Sequence, residues 1–545
     1  MSKRSLVVSV IVVLLNTMNA TAQTSQPAAQ TAAPKTFTEA VERILREPAY
    51  RHASFGLEIY SLDEEKPLFA LNGQALFTPG STTKLLTEGT ALQLLGPDFR
   101  FHTFVYRTGE IDGKGALRGD LVLLASGDPN LSNRMQPDGT LAFADEDHTY
   151  GGPESKLIPG DPLVVLHEFA REVAAAGIRR VRGKVVVDAS LFPEGDRELG
   201  TGVVISPISV NDNVVDVTIR PGDAVGKPAV LSYSLEVPYL RFENRLTTVT
   251  GESRFDDPQT VENPDGSQTV ILSGSVSQSE PSRIYGYPVA SPSRFAAVAF
   301  NEALRSAGVL VEEKPVGITS ASPYKAFYQP EYKVAEHVSA PLSEEIKVTL
   351  KVSHNLHASM TPFLLGALVG KAKDKIDRKG FLLEHDFLTQ AGLDLSGASQ
   401  ADGAGGAASA FYTPDFMVHY LAYMAKQPSF PVFEHALPIL GRDGTLVAIQ
   451  QNSPAAGHVF AKTGTFGAED LLNGQLMLVG KGLAGYTTTP GGQNLAFALY
   501  LNHIEIPGDK NLTQTAGEAL GAIAAAAYAL PIDKYTMQIP ATGAP

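Results

Sequence analysis

Apolar positions recur at helical spacing near the start of the chain and then shift to alternation. Phe37, Ala40, Val41, Ile44 and Leu45 fall three and four residues apart, which predicts an amphipathic helix within 37–50. Ala53 to Tyr60 alternates with period two and predicts a strand. Leu68 to Leu71 follows a turn and pairs with it as a hairpin. Next comes the stretch Phe77 to Leu95. Pro79 and Gly80 punctuate it, and Leu85, Leu86, Leu92 and Leu95 then predict a buried helix. Ser81 falls at or near the N-terminus of that helix. Lys84 lies three residues on, on the same face.

The texture changes over 98–335. Short β-rich runs, such as Leu121–Ala125, Lys184–Asp188, Val214–Ile219 and Gln268–Leu272, are separated by Gly, Pro, Asn and Asp. Helices are expected at 162–176 and 293–307. This region reads as a β-rich insert, two nested domains with a soft break near 200–212. Helical periodicity returns over 344–365 and 412–425. Strands are expected at 458–465, 471–479 and 494–502, with another short one at 482–486. An alanine-rich helix over 517–530 packs on that sheet. The organisation is therefore 37–97 and 336–530 as two parts of one domain, 98–335 as the insert, and 531–545 as a short neutral tail.

At 545 residues, 43% hydrophobic and 19% charged, the chain can form several globular cores. Its formal net charge of −14 argues against nucleic acid as a partner and disfavours anionic membrane surfaces. Lys3 and Arg4, the apolar run Leu6 to Leu15 and the small-residue site Ala20-Thr21-Ala22 form a signal-peptide pattern over 1–22, leaving Gln23 as the mature start. The apolar run is too short for a stable membrane anchor. Residues 23–36 read as a disordered linker. With no cysteine the exported chain relies on its core alone, which suits a bacterial periplasm or exterior.

Ser81-x-x-Lys84 is weak evidence by itself. Ser322-Pro-Tyr-Lys325 also matches, though it contains proline and precedes no apolar helix. Taken alone, Ser81 and Lys84 are equally a helix cap and a surface lysine. Two further motifs change this. Ser353-His354-Asn355 lies in the helical run, and Lys462-Thr463-Gly464, which occurs once, ends a strand. In this order the three motifs form the signature of penicillin-recognising serine enzymes. The chemistry needs a nucleophile and base on one helix, and a hydroxyl and amide across a cleft. It also needs a cation and hydroxyl on an edge strand, with a glycine where substrate approaches closely.

Nearly half the chain separates Lys84 from Ser353, too much for a compact β-lactamase. Here the sequence resembles the low-molecular-mass class C penicillin-binding proteins, the D-alanyl-D-alanine carboxypeptidase/endopeptidases of peptidase family S13. Supporting stretches are Ser126-Gly-Asp-Pro129, Val187-Asp-Ala-Ser190-Leu-Phe192, Ser209-Val-Asn-Asp-Asn213, Leu437 to Leu446, Ala461 to Thr465 and Leu483-Ala-Gly-Tyr486.

The resemblance implies an α+β fold of the serine β-lactamase/DD-peptidase type, an antiparallel sheet flanked by helices, interrupted by β-rich insert domains. It implies Ser81 as nucleophile, Lys84 as base, Ser353 and Asn355 as proton shuttle and substrate holders, and Lys462 and Thr463 at the terminal carboxylate. Gly464 follows them, and the backbone N–H groups of Ser81 and Thr465 form the oxyanion hole. The substrates are then peptidoglycan stem peptides, and β-lactams are covalent inhibitors. Departures are His354 for an acid, Ser359 and Met360 near an expected glutamate, and Ala404 for a serine. No cofactor is indicated. Asp145-Glu-Asp-His148 reads as a solvated acidic loop, and His354 and His357 as surface or packing residues without a third metal ligand. The competing readings are a β-lactamase or esterase on the same fold, a non-catalytic peptidoglycan-binding protein, and a purely structural exported β-protein.

Overall fold

A computed structural model describes residues 33–509, 511–533 and 535–537. The predicted signal peptide, most of the linker and most of the tail lie outside them. Among the described residues no helix is long and apolar enough to cross a membrane.

A six-stranded sheet organises the site. Its strands are β1 (Ser54–Ser61), β2 (Lys66–Leu71), β3 (Val459–Asp470), β4 (Gln475–Thr488), β5 (Asn494–Ile504) and β6 (Tyr535–Met537), in the spatial order β3-β4-β5-β1-β2-β6. All neighbours are antiparallel except β2 and β6. Strand β5 shows why the sheet takes helices on both faces. Leu495, Phe497, Leu499 and Leu501 point one way, into a core with helices α1 (Phe37–Leu45) and α6 (Leu512–Ala529). Ala496, Ala498 and Tyr500 point the other way, onto α2 (Lys84–Leu95) and α5 (Pro414–Met424). Chain ends far apart in sequence thus build one sheet, with β1 paired to β5 from Ser54↔Asn502 to Ser61↔Leu495.

Helix α2 carries apolar residues on all sides and is buried from Lys84 to Leu92, with Lys84 and Glu88 buried among them. The Tyr420 hydroxyl donates to the Leu85 carbonyl at 2.7 Å. A Cβ on Gly89 would lie 1.9 Å from that hydroxyl, so glycine lets α5 press against α2.

Residues within 105–335 form a separate core. A five-stranded sheet there runs in the order Val316–Ile318, Val185–Asp188, Leu121–Leu124, His102–Arg107 and Lys333–Val338, and helices Val164–Ala175 and Pro292–Ser306 lie close to the expected positions. Helix α4 (Asn355–Leu364) ties this region to the main sheet. Its Leu356, Met360, Phe363 and Leu364 pack with Phe192, Val203, Ile205 and Val214.

Two expectations need correction. The helical run over 344–365 is two helices, α3 (Leu342–Lys351) and α4, with Ser353 in the turn between them. The strands expected at 471–479 and 482–486 are one strand, β4, because 471–474 form the hairpin turn from β3. Gly480 and Gly482 resemble a break in the sequence, but they let β4 pass close to its neighbours. A Cβ on Gly480 would lie 2.5 Å from the Thr78 carbonyl oxygen, and one on Gly482 would lie 3.0 Å from that of Pro79.

Candidate active site

Gly80, at φ +52°, starts a 3-10 turn over Gly80–Thr83 that runs straight into α2. The turn leaves Ser81 half-buried and makes Lys84 the first residue of the helix, with no exposure to solvent. The Lys84 Nζ reaches three oxygens: Ser81 Oγ at 2.8 Å, Asn355 Oδ1 at 2.7 Å and the Ala404 carbonyl at 3.1 Å. Burial brings its pKa down to about 7, against the pull of the carboxylates of Glu198, Asp402 and Glu88.

Ser353 sits in the left-handed region at φ 63°, an uncommon conformation for a residue with a side chain. Asn355 follows as the first residue of α4. Between them His354 caps the helix, its ring accepting from the His357 N–H at 3.5 Å. Lys462 Nζ donates to Ser353 Oγ at 2.8 Å and to the Thr463 carbonyl at 2.9 Å. Burial holds the Lys462 ammonium well below its ordinary pKa, and the charges of Lys84 and Lys481 add to this. Two lysine–serine pairs, Lys84 with Ser81 and Lys462 with Ser353, therefore meet across the 353–355 turn.

Strand β3 presses on the Ser81 turn. A Cβ on Gly464 would lie 2.0 Å from the Pro79 carbonyl oxygen, and one on Gly80 would lie 2.5 Å from the Thr465 nitrogen. Glycine 464 is thus required first by this protein–protein approach, before any approach of substrate. Thr463 and Thr465 face the other side of the sheet. The Thr463 hydroxyl donates to Thr445 Oγ1 at 2.7 Å, and Thr465 Oγ1 accepts from Lys481 Nζ at 2.8 Å.

Several groups here carry no motif in the sequence. Glu198 folds its carboxylate onto the Gly200 and Gly202 amides, each at 2.8 Å, and its loop packs against the site. A Cβ on Gly200 would lie 2.2 Å from Asn355 Nδ2. Asp402 accepts from the Ala404 amide at 3.0 Å and so shapes the turn whose carbonyl meets Lys84. Glu88, one turn along α2, is raised to about 7 by burial. Only the Asp-Gly-Ala-Gly-Gly run at 402–406 gives a sequence signal, that of a tight turn.

The expected solvated loop at 145–148 is buried at Asp147 and His148. Arg134 explains why. Its Nη2 donates to Asp147 at 2.7 Å and to Asp212 at 2.9 Å. His148 bridges Asp212 at 2.8 Å and Asp216 at 2.7 Å. His357 Nε2 lies 2.7 Å from Asp212 Oδ1, and the His354 ring stacks on that of His357 at 3.7 Å. His354 and His357 are therefore packing residues, and Asp212 is the third group that the sequence does not reveal. Ligand atoms of Asp212, His354 and His357 lie within 4.8 Å of one another. Arg134 and His148 already hold the same carboxylate, so the cluster has the composition of a buried ion-pair network.

The sequence matches the model of the D-Ala-D-Ala carboxypeptidase 3 (S13) family over residues 37–523. It is similar to a D-alanyl-D-alanine carboxypeptidase of Actinomadura, 28% identical over 485 residues, covering 85% of this chain and 80% of the relative. It is also similar to the D-alanyl-D-alanine carboxypeptidase DacB of Haemophilus influenzae, 23% identical over 467 residues, covering 83% of this chain and 85% of the relative. The fold is similar to the crystal structure of penicillin binding protein 4 from Haemophilus influenzae, with a TM-score of 0.67 and 21% identity over 90% of this chain and 98% of that one.

Proposed function

The chain belongs to the D-Ala-D-Ala carboxypeptidase 3 (S13) family, and from that premise we propose that it is an exported serine DD-peptidase of peptidoglycan, acting through an acyl-enzyme at Ser81. It removes the terminal D-alanine of stem peptides and opens D-alanyl–diamino acid cross-links. Residues 37–97 and 336–530 form the catalytic unit, and 98–335 is inserted between them. The relatives named D-alanyl-D-alanine carboxypeptidase support the substrate class. The observation that carries the mechanism is the 2.8 Å contact of Lys84 Nζ with Ser81 Oγ.

A neutral lysine has two hydrogens and one lone pair. Of the three oxygens around Nζ, the Asn355 amide oxygen and the Ala404 carbonyl can only accept. The two hydrogens go to them, and the lone pair is left for the Ser81 hydroxyl. Lys84 takes the Ser81 proton as Oγ attacks the carbonyl carbon of the penultimate D-alanine. The oxyanion is held by the backbone N–H groups of Ser81 and Thr465. The C–N bond breaks, and the proton that Lys84 took passes by way of Ser353 to the leaving amine, which returns Lys84 to its neutral form. Lys84 then takes a proton from water as the water attacks the ester, and gives it to Ser81 Oγ as the shortened peptide leaves.

The test is intact mass after exposure to benzylpenicillin, with peptide mapping. A persistent adduct of one equivalent on the peptide containing Ser81 is expected. Rapid loss of drug without an adduct would favour a β-lactamase. Neither adduct nor hydrolysis would leave a non-catalytic binding protein. Export is tested separately: N-terminal sequencing of protein secreted to the periplasm should begin at Gln23.

A further inference from the structure

The loop Ser126 to Ser132 carries none of the catalytic motifs, yet it is buried from Gly127 onwards. Asp128 is 1% exposed and Asn130 is 6% exposed. Glu345, in the first turn of α3, is 4% exposed. Asn130 Nδ2 donates to Glu345 Oε2, so loop and helix meet here. Asp128 Oδ1 accepts from the Asn130 N–H at 2.9 Å. Three further oxygens have no hydrogen-bond partner among the described residues: Asp128 Oδ2, Asn130 Oδ1 and Glu345 Oε1. Two of them belong to carboxylates.

No counter-charge answers those carboxylates. Among the described residues neither has a lysine or arginine within 4.0 Å, and the nearest basic group is His337. Its Nε2 lies 3.7 Å from Asp128 Oδ2 and makes no hydrogen bond. Burial brings His337 down to about 4, so it is neutral at neutral pH. Arg134 acts on Glu345 only at longer range, because its Nη2 is held by Asp147 and Asp212. Burial raises both carboxyl pKa values, and the charge of Asp128 raises that of Glu345 further. Two carboxylates shut away together without a cation are costly. A proton shared between them would answer Asp128 and Glu345 but not Asn130 Oδ1. A metal cation answers all three oxygens.

We infer that Asp128, Asn130 and Glu345 hold a hard divalent cation, and that the cation is calcium. The donors are all oxygens, two of them charged, which suits a hard ion and not a thiolate- or imidazole-seeking one. Asp128 and Asn130 stand two apart in an irregular loop, the alternation that calcium loops use, and a helix supplies the further carboxylate. Calcium accepts irregular sets of about six to eight oxygens, where magnesium demands an octahedron. Ser132 is next in the alternation. It is 3% exposed, its hydroxyl is unpartnered, and it lines a polar cavity of about 70 Å³ from which water completes the shell. The cation joins two cores. Leu131 belongs to the core of the inserted region, and Leu342, Ile346 and Leu350 of α3 belong to the core beneath the main sheet. Helix α3 ends at Lys351, two residues before Ser353. The site is structural and does not depend on the peptidase reading.

Calcium titration of the full chain, stripped with chelator, tests this. Calorimetry should show one calcium per chain with Kd on the order of 10⁻⁴ M. Calcium at about 10 mM should raise the thermal midpoint by about 2–5 °C, and sodium chloride of equal ionic strength should not. Asp128→Asn and Glu345→Gln keep the shape and remove one charge each. Each should weaken calcium binding by about tenfold or more. The order of stability should also cross. In chelator both variants should melt at or above the native chain, because a buried charge is gone. In calcium the native chain should melt above both. No binding up to about 10 mM, binding that both variants retain, or an equal shift in sodium chloride would overturn the inference. If neither variant folds, a crystal structure of the native chain grown in calcium decides the point. An ion about 2.3–2.6 Å from oxygens of Asp128 and Glu345 supports the site, and calcium seen only elsewhere overturns it.

Discussion

Lys84→Met should slow acylation of Ser81 by benzylpenicillin about 10⁴-fold, with little change in the thermal midpoint. Methionine matches the lysine stem in length, and Lys84 has no exposure to solvent, so the packing of α2 survives. What is lost is the only nitrogen within hydrogen-bond reach of the Ser81 hydroxyl among the described side chains. Lys84→Arg separates a base from a mere cation, because guanidinium keeps its proton at any working pH. It should be as inactive as methionine. The wild-type pH profile gives the sign independently. Burial holds Lys84 at about 7 instead of the 10.5 of a free lysine. The amine is the form that accepts a proton, so acylation should rise as pH increases through about 7 and level off above it. Stopped-flow acylation from pH 5.5 to 9 measures this. A Lys84→Met rate within about tenfold of wild type would remove Lys84 from the base role.

The two halves of the site differ in how legible they were. Ser81 and Lys84 could be read because both lie at one helix start, where three residues of separation fix their proximity. The sheet strands β3 and β5 could be read from alternation and β-branched or aromatic content. The turn at Ser353 could not. No glycine or proline marks it, and the sequence on either side is helical in pattern. The left-handed φ is held by tertiary contacts, chiefly Lys462 on the hydroxyl and Tyr150 on the carbonyl. Glu198 and Asp402 were invisible for a related reason. Each carboxylate accepts from amides of its own loop, so its sequence surroundings look like any turn. Lys481 falls between two glycines, in the gap between the strands expected at 471–479 and 482–486. Its burial follows from α6 crossing the sheet, a contact made across the chain's last connection. Asp147 and His148 looked solvated because acidic runs usually are, and their partners, Arg134 for Asp147 and Asp212 and Asp216 for His148, lie outside the run.

Asp212→Ala should be the most damaging change outside the reacting groups, lowering unfolding free energy by about 3–5 kcal/mol. The reason is what the carboxylate leaves behind. Arg134 loses one of its two carboxylates, and its Nη1 is already without a partner. His148, whose two ring nitrogens both face carboxylates, is held charged well above its ordinary pKa. Burial alone would lower it, but Asp216, Asp147 and Asp212 outweigh that. It loses one of them. His357 loses the one side-chain hydrogen bond that its ring makes among the described residues. A buried ion pair adds little over an apolar pair, yet removing one member strands the other charge. Asp212 also stands at φ 53°, between Asn211 and Asn213 in the same left-handed region. Alanine adds backbone strain there that asparagine avoids. Asp212→Asn should therefore cost only about 1–2 kcal/mol, since the amide oxygen still accepts. The loss should reach the site as well. His357 lies on α4, which begins at Asn355, the residue that holds Lys84. Acylation of the folded Asp212→Ala variant should fall on the order of 10- to 100-fold through displacement of that amide. Urea unfolding and acylation rates measured on both variants check the two claims together. An Asp212→Ala protein within about 1 kcal/mol of wild type would mean that the network is neutralised by other means.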